Sequence, residues 1–345
     1  MRHTINRQWR LASRPKGMVQ ETDFAYHEAA VPEPQEGQFL VRNLYIAFEP
    51  AMRGWMMDRQ SYIAPIQIGA VMRAACVGQV VASRHPDFQP GDFVRGTFGW
   101  QDYMATRGDG MLPATKLAPG VPLTMPLSVL GITGLTAYFG LLDIGRPQAG
   151  DTVVVSGAAG ATGSIVGQIA KIHGCRVIGI AGGPEKCAWL TGEAGFDATI
   201  DYKAEPVQTR LLELCPAGLN IFFDNVGGEI LDAALAVIAM KARIVLCGGI
   251  SRYNEETVPP GPKNYFNLVL QRGRMEGFIV LDFAPRFAEA EHALARWMTA
   301  GRLMYKEDIQ EGFANAPKTF LRLFAGKNFG KQLLRIADPP LGGSR

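Results

Sequence analysis

Three glycines, Gly157, Gly160 and Gly163, stand three residues apart directly after a β-branched run, Thr152 to Ser156. From Ser164 to His173 the apolar residues take up helical spacing. Glycines placed this way allow a tight turn, close approach of backbone to a pyrophosphate, and close packing of helix on strand. The helix N-terminus adds unpaired N–H groups and partial positive charge where phosphates would sit. The spacing alone also fits an ordinary tight turn between strand and helix. With a buried strand before it and a helix after it, the unit reads as a dinucleotide site, with Gly160, Ala161, Thr162 and Gly163 at the phosphates.

The second strand of such a unit chooses between cofactors. A site for NAD carries an Asp or Glu roughly 20 residues past the glycines, where it accepts hydrogen bonds from a ribose 2′-OH. Here the strand Arg176 to Ala181 runs into Gly182 and Gly183, with no carboxylate at its tip, and Lys186 follows at the start of a helix. A lysine there is by itself an ordinary surface residue. The missing carboxylate removes a repulsion from an anionic 2′-phosphate, and the ammonium adds an attraction, so NADPH is favoured.

These residues need a parallel sheet to hold them. Strand-like Arg176–Ala181, Ala198–Ile200, Asn220–Phe223 and Arg243–Cys247 alternate with helix-like Glu185–Ala194, Val207–Cys215 and Ile230–Met240. Leu130–Leu142 precedes them as a helix; Met275–Leu281 is the expected last strand and Phe287–Ala300 the helix after it. Such alternation implies an α/β, doubly wound parallel sheet over residues 127–311. Ligands of this architecture lie beyond the carboxyl ends of the strands, which singles out Asn225 and the loop from Cys247 to Asn254. Residues 1–126 differ in texture. Short β-like runs such as Gln8–Ala12, Phe39–Ile46 and Val77–Val81 are separated by turns, including Pro90-Gly91-Asp92, and no long amphipathic helix interrupts them. A compact β domain is expected, with residues 312–345 returning to it through a strand at Gln332–Ile336.

Composition excludes several classes. Among 345 residues, 35 basic against 32 acidic side chains leave a net charge of +3, too small to argue for nucleic acid or an anionic membrane as partner. No run reaches the roughly 18 apolar residues of a membrane span. Arg2, Arg7 and Arg10 put charges where a signal peptide needs an apolar segment, so a cytoplasmic protein is expected. Cys76, Cys175, Cys187, Cys215 and Cys247 are scattered without a C-x-x-C pair, and no two histidines stand at metal-ligand spacing. No metal is expected.

Several stretches, in order along nearly the whole chain, carry a resemblance. They are Glu49 to Gly54, His85-Pro86-Asp87, Gly99 to Tyr103, Gly134 to Gly140, Phe223 to Gly228 and Gly326 to Lys331. Together they resemble the medium-chain dehydrogenase/reductase superfamily, in its zinc-independent branch of curcumin, prostaglandin and 2-alkenal reductases. The resemblance implies a GroES-like, partly open β-barrel domain beside a Rossmann domain, and NADPH-dependent reduction of the carbon–carbon double bond of enones and enals. It also implies a homodimer paired through edge strands. As cofactor contacts it implies Lys186 and Tyr202 at the 2′-phosphate, Asn225, Cys247, Gly248, Gly249, Ile250, Ser251 and Tyr253 in the strand-end turns, Phe278, Ile279 and Val280 on the last strand, and Asn328 near the nicotinamide. Arg53 and Tyr62 are its substrate-pocket residues. A quinone reductase, or an NADPH-binding protein acting only through interactions, would share these features.

Two departures bear on catalysis. Ala51 replaces a tyrosine usual in the family's substrate loop, and Leu270 stands where prostaglandin and alkenal reductases carry a tyrosine proposed to polarise the substrate. Leucine cannot donate a hydrogen bond. Enolate charge developing on a carbonyl oxygen still benefits from a hydroxyl donor. Tyr253 and Tyr265 are the candidates for that catalytic role, with Tyr62 from the β domain; a cofactor ribose hydroxyl and a water could serve instead.

Overall fold

Val153, Val154, Val155 and Ser156 have no exposed surface, as expected of a strand covered on both faces. In the computed structural model, which describes residues 5–340, they lie in a six-stranded parallel sheet. Its spatial order is Ala198–Asp201, Arg176–Ala181, Thr152–Ser156, Leu219–Asp224, Ile238–Leu246, Arg274–Gly277. Chain order reverses between the third and fourth of these strands, and this is the switch point at which a doubly wound sheet opens a crevice. Helices Ala161–Ile172, Pro184–Gly192, Val207–Leu214 and Gly228–Leu235 are the crossovers. One face packs Val154, Ile178, Phe222 and Ile244 against Leu211, Leu231 and Leu235.

Close approach explains the glycines. A Cβ on Gly163 would lie 2.4 Å from the carbonyl oxygen of Gly157, and one on Gly167 would lie 1.9 Å from the ring of Phe196. The helix Ala161–Ile172 rests directly on the sheet and turn because neither residue has a side chain.

Several boundaries differ from the sequence reading, and three of the differences have a visible local cause. The helix expected over Ile230–Met240 ends at Leu235, and Ile238 already pairs with Leu219 in the sheet. Val237 and Ile238 are β-branched and favour the pleat once the turn at Ala236 is made. Lys241 then adopts φ 58°, and the strand resumes its register at Arg243. The last strand stops at Gly277, four residues short of Leu281. Its neighbour ends at Leu246, after which Cys247 and Gly248 N–H converge on the one Asp224 O at 2.9 and 3.1 Å as the chain turns, and the pairing of the two strands stops at Leu246 and Gly277. The helix beginning at Ile132 gives way after Phe139 to a wider π-type turn, Gly140–Gly145.

The sheet just described lies within one compact unit, Val129–Lys306; the other comprises residues up to Ser128 and from Glu307 onward. In the latter, a seven-stranded sheet runs Glu307–Glu311, Lys331–Arg335, Phe39–Ala47, Ala75–Ser83, Phe93–Thr97 and Thr115–Lys116, with Tyr103–Thr106 also on Phe39–Ala47. The strand Glu307–Glu311 therefore joins the β unit's sheet, although the sequence reading carried the nucleotide domain to residue 311. Trp100 is the centre of this core, with ring centroids 5.2 Å from Phe24, 4.9 Å from Phe48 and 5.7 Å from Phe320. Removing a fully buried ring such as Phe48 by substitution with alanine costs about 3–5 kcal/mol by analogy with other cores.

Candidate cofactor and active site

The glycine turn begins where Gly157 takes φ 59° and ends where Gly160, in extended conformation, caps the helix Ala161–Ile172. Ser164 N–H bonds to Gly160 O at 3.1 Å as the first helical turn closes. The N–H groups of Ala161, Thr162 and Gly163 come before that turn, and such groups at a helix end suit an anionic oxygen.

Opposite this turn lies a polar network that sequence reasoning missed. Asp224, buried at the end of its strand, accepts the Ser156 hydroxyl at 2.7 Å and backbone N–H groups of Val226 and Gly227 at 3.0 Å. Burial pushes its carboxyl above the usual range, opposed by the hydrogen bonds from Gly227, Ser156 and Val226. Ser156 Oγ in turn accepts Asn225 N–H at 2.8 Å, and Asn225 Nδ2 donates to Ser156 O at 2.8 Å. The Asn225 side chain is thus fixed by its amino end, and its Oδ1 is turned away from that bond as an acceptor.

The loop after Leu246 is laced onto the same turn. Cys247 and Gly248 N–H groups reach Asp224 O at 2.9 and 3.1 Å, Ile250 reaches Asn225 O at 3.3 Å, and Ser251 Oγ reaches Val226 O at 2.6 Å. Gly249 N–H donates to the Tyr253 hydroxyl oxygen at 3.2 Å, which folds the tyrosine back over Gly248. Asn225, Cys247, Gly248, Gly249, Ile250, Ser251 and Tyr253 are therefore one assembly at the carboxyl edge. Phe278 joins them from beyond the last strand: a Cβ on Gly140 would be 2.4 Å from its ring and 2.8 Å from Phe223. Ile279 and Val280 follow it, half-buried, into a 3₁₀ turn.

At the other end of the crevice, Gly182 is flanked by Tyr202, whose ring atom would lie 2.8 Å from a Cβ placed there. Gly183, with φ 98°, precedes the helix Pro184–Gly192 that carries Lys186. Gly182 is thus packed under Tyr202 and Lys203, nothing lies within 4 Å of where a Cβ on Gly183 would stand, and the tip of the strand Arg176–Ala181 carries no carboxylate of its own.

The remaining candidates lie elsewhere. Tyr265 sits on a 3₁₀ turn, Lys263–Phe266, with its side chain largely exposed. In the β unit, Tyr62 accepts a hydrogen bond from Trp55 Nε1 at 2.8 Å, and burial raises its hydroxyl pKa. Arg53 is only 2% exposed, and its guanidinium donates to Gly17 O at 2.9 Å and Pro15 O at 3.3 Å. It braces the 15–17 segment from the interior. Asn328 Nδ2 donates to Gly330 O at 3.1 Å in the turn before Lys331–Arg335. Among the described residues, no group of three or more His, Cys, Asp or Glu could hold a metal ion, and no helix is long and apolar enough to cross a membrane.

None of the five cysteines is in a disulfide. Burial pushes the Cys247 thiol up to about 12 and that of Cys175 to about 11, and it raises those of Cys76, Cys187 and Cys215 as well. The thiolate is the nucleophile, so these sulfurs should be slow to react with electrophiles. We expect native protein at about pH 8 to be alkylated by iodoacetamide far more slowly than a free thiol, and fully once denatured. Intact-mass analysis checks this; stoichiometric modification of Cys247 within minutes would contradict it.

Two family models match the chain: an N-terminal domain of oxidoreductase over residues 7–114, and a zinc-binding dehydrogenase over residues 161–297. The NADPH-dependent curcumin reductase of Escherichia coli is 44% identical over 339 residues, covering 96% of this chain and 97% of that protein. The NADP(+)-dependent 2-alkenal reductase of Nicotiana tabacum is 36% identical, covering 96% and 98%. Among solved structures, CurA from Vibrio vulnificus in complex with NADPH superposes with a TM-score of 0.92 at 42% identity, over 96% of this chain and all of the other. With the glycine turn, the parallel sheet and the β unit all in place, and identity of this order along almost the entire length, the chain belongs to the medium-chain dehydrogenase/reductase family.

Proposed function

We propose that this protein is an NADPH-dependent reductase of the carbon–carbon double bond in α,β-unsaturated carbonyl compounds, enones and enals with curcumin-like substrates among them. The observation that carries the reading is the crevice of the Rossmann unit, where helix-end N–H groups, the Asn225 turn, and Lys186 and Tyr202 beside a strand Arg176–Ala181 that ends without a carboxylate of its own are the features NADPH requires. The likeness to NADPH-bound CurA and to the curcumin and alkenal reductases supports it.

When bound, NADPH supplies a hydride for the β-carbon of the conjugated bond. The chain's own part is to bind, orient and stabilise charge. Gly160 to Gly163 would hold phosphate oxygens, and Lys186 and Tyr202 would hold the 2′-phosphate. The Asp224–Ser156–Asn225 network fixes the Asn225 amide, and the Cys247 to Ser251 loop, laced to the same turn, would hold the cofactor beside it. Tyr253, anchored by Gly249 N–H, is our choice for the hydroxyl that stabilises charge on the substrate oxygen; exposed Tyr265 is the alternative. A panel assay following NADPH consumption with enones, enals and quinones tests the reading. Turnover of enones and enals is expected, and a protein that consumes NADPH only with quinones would refute it.

We also propose that the enzyme needs no zinc and works in the cytoplasm, consistent with five unpaired thiols and no metal-ligand cluster among the described residues. Dialysis against a strong chelator should leave its activity intact; loss restored by added zinc would contradict this. Pairing into a homodimer is supported by the edge strand Arg274–Gly277. Beside it in sequence are Tyr265, Phe266, Val269 and Leu270, exposed by 59, 57, 62 and 56%. An uncovered strand edge with apolar neighbours invites pairing. The Val269→Glu, Leu270→Glu double variant should halve the mass seen by light scattering, and an unchanged mass would place the interface elsewhere.

A further inference from the structure

One carboxylate oxygen ties together the two segments that carry Lys186 and Tyr202. Asp201 closes the strand Ala198–Asp201, in register with Ala181 on the neighbouring strand. Its Oδ1 accepts the N–H of Gly183 at 2.9 Å and the N–H of Lys203 at 3.0 Å. Gly183 leads through Pro184 into the helix of Lys186, and Lys203 directly follows Tyr202. The side chains of Tyr202 and Lys203 both lie over Gly182: a Cβ there would be 2.8 Å from Tyr202 Cε1 and 2.9 Å from Lys203 Cε. The carboxylate's own backbone is braced, since Asp201 N–H donates to Glu205 Oε2 at 3.0 Å and Arg210 Nε holds Glu205 at 2.7 Å.

The arrangement contains an opposition of effects. Asp201 brings negative charge to a place where a 2′-phosphate would bind, and like charges repel. Yet its oxygen holds both halves of the basic surface in register, and a misplaced ammonium makes a poor charge-assisted hydrogen bond. Geometry and charge therefore predict opposite signs for two substitutions.

We propose that Asp201 is the positioning residue of the 2′-phosphate subsite, setting the distance between the Gly183–Lys186 segment and the Tyr202–Lys203 turn through the hydrogen bonds it accepts rather than through its charge. Lys203, with its stem held over Gly182, is thereby a second cation of that subsite. The inference rests on the NADPH reading above.

The test uses the full chain and two probes, adenosine 2′,5′-bisphosphate and 5′-AMP, whose difference isolates the 2′-phosphate; calorimetry reads both affinities without turnover. Asp201→Asn keeps an acceptor oxygen for both N–H groups and removes the charge, so it should bind the bisphosphate as tightly as the parent or up to about tenfold more tightly. Asp201→Ala loses the acceptor and should bind it about tenfold more weakly. Binding of 5′-AMP should stay within about twofold in both. Asp201→Ser, too short to reach both N–H groups, replaces the alanine variant if that one does not fold. Equal weakening of both probes, no change in the alanine or serine variant, or an asparagine variant as weak as alanine would overturn the inference. Failure of the NADPH reading is separately visible: parent protein that binds the bisphosphate no better than 5′-AMP refutes that reading and this inference with it.

Discussion

Replacing Tyr253 by phenylalanine should lower the enone turnover rate by about 10²–10³ if its hydroxyl alone carries the developing oxyanion, a larger effect than any weakening of NADPH binding. Leu270 cannot donate a hydrogen bond, so the hydroxyl that the family resemblance implies at that position is absent. The Gly249 N–H, in contrast, fixes the Tyr253 oxygen at 3.2 Å in the strand-end loop. A donor held in place before the reaction needs no reorganisation as charge develops, and this is why such groups act on rate more than on binding. Tyr265→Phe should change the rate little, because Tyr265 sits among exposed apolar residues near the proposed pairing edge. Single-turnover kinetics separate the hydride step from product release. Wild-type rates in both single variants and the double variant, with hydride transfer limiting, would remove tyrosine assistance from the account.

The second large effect is on cofactor choice. Lys186→Ala should weaken NADPH by about 1.5–3 kcal/mol, roughly ten- to hundredfold, and leave NADH almost unchanged. The interaction lost is a charge-assisted contact with the phosphate that NADH lacks. The effect should shrink as salt rises, because the subsite is open to solvent around Tyr202. Fluorescence titration with both cofactors checks it. A parent protein that binds NADH as tightly as NADPH would contradict the assignment of Lys186 before any variant is made.

Much of the crevice was legible in the sequence because its constraints are local and steric. Gly157, Gly160 and Gly163 stand within seven residues of one another; side chains on Gly160 and Gly163 would strike atoms of the same turn, and Gly157 is needed there for its φ of 59°. The βα alternation was equally local, since periodicity marks both faces of each element. What was not legible depends on partners distant in the chain. Ser156 and Asp224 meet across 68 positions, and nothing in either neighbourhood announces that the other will be there. Asp201 lies only 18 residues from Gly183, but its significance comes from a sheet register that brings it beside Ala181. The early end of the last strand at Gly277 follows from where its neighbour turns away, not from its own composition. Arg53 illustrates the reverse case. A residue type and motif that suggest a pocket cation are equally compatible with a buried guanidinium spending its donors on the carbonyls of Pro15 and Gly17.

The central claim is that hydride is delivered to carbon–carbon, not carbon–oxygen, double bonds. Incubating the purified protein with a simple enone and NADPH deuterated at the transferred position, then recording the NMR spectrum of the product, tests it directly. The account predicts a saturated ketone carrying one deuterium at the β-carbon, and no reaction of comparable rate with NADH. An allylic alcohol with deuterium on the carbinol carbon would contradict it.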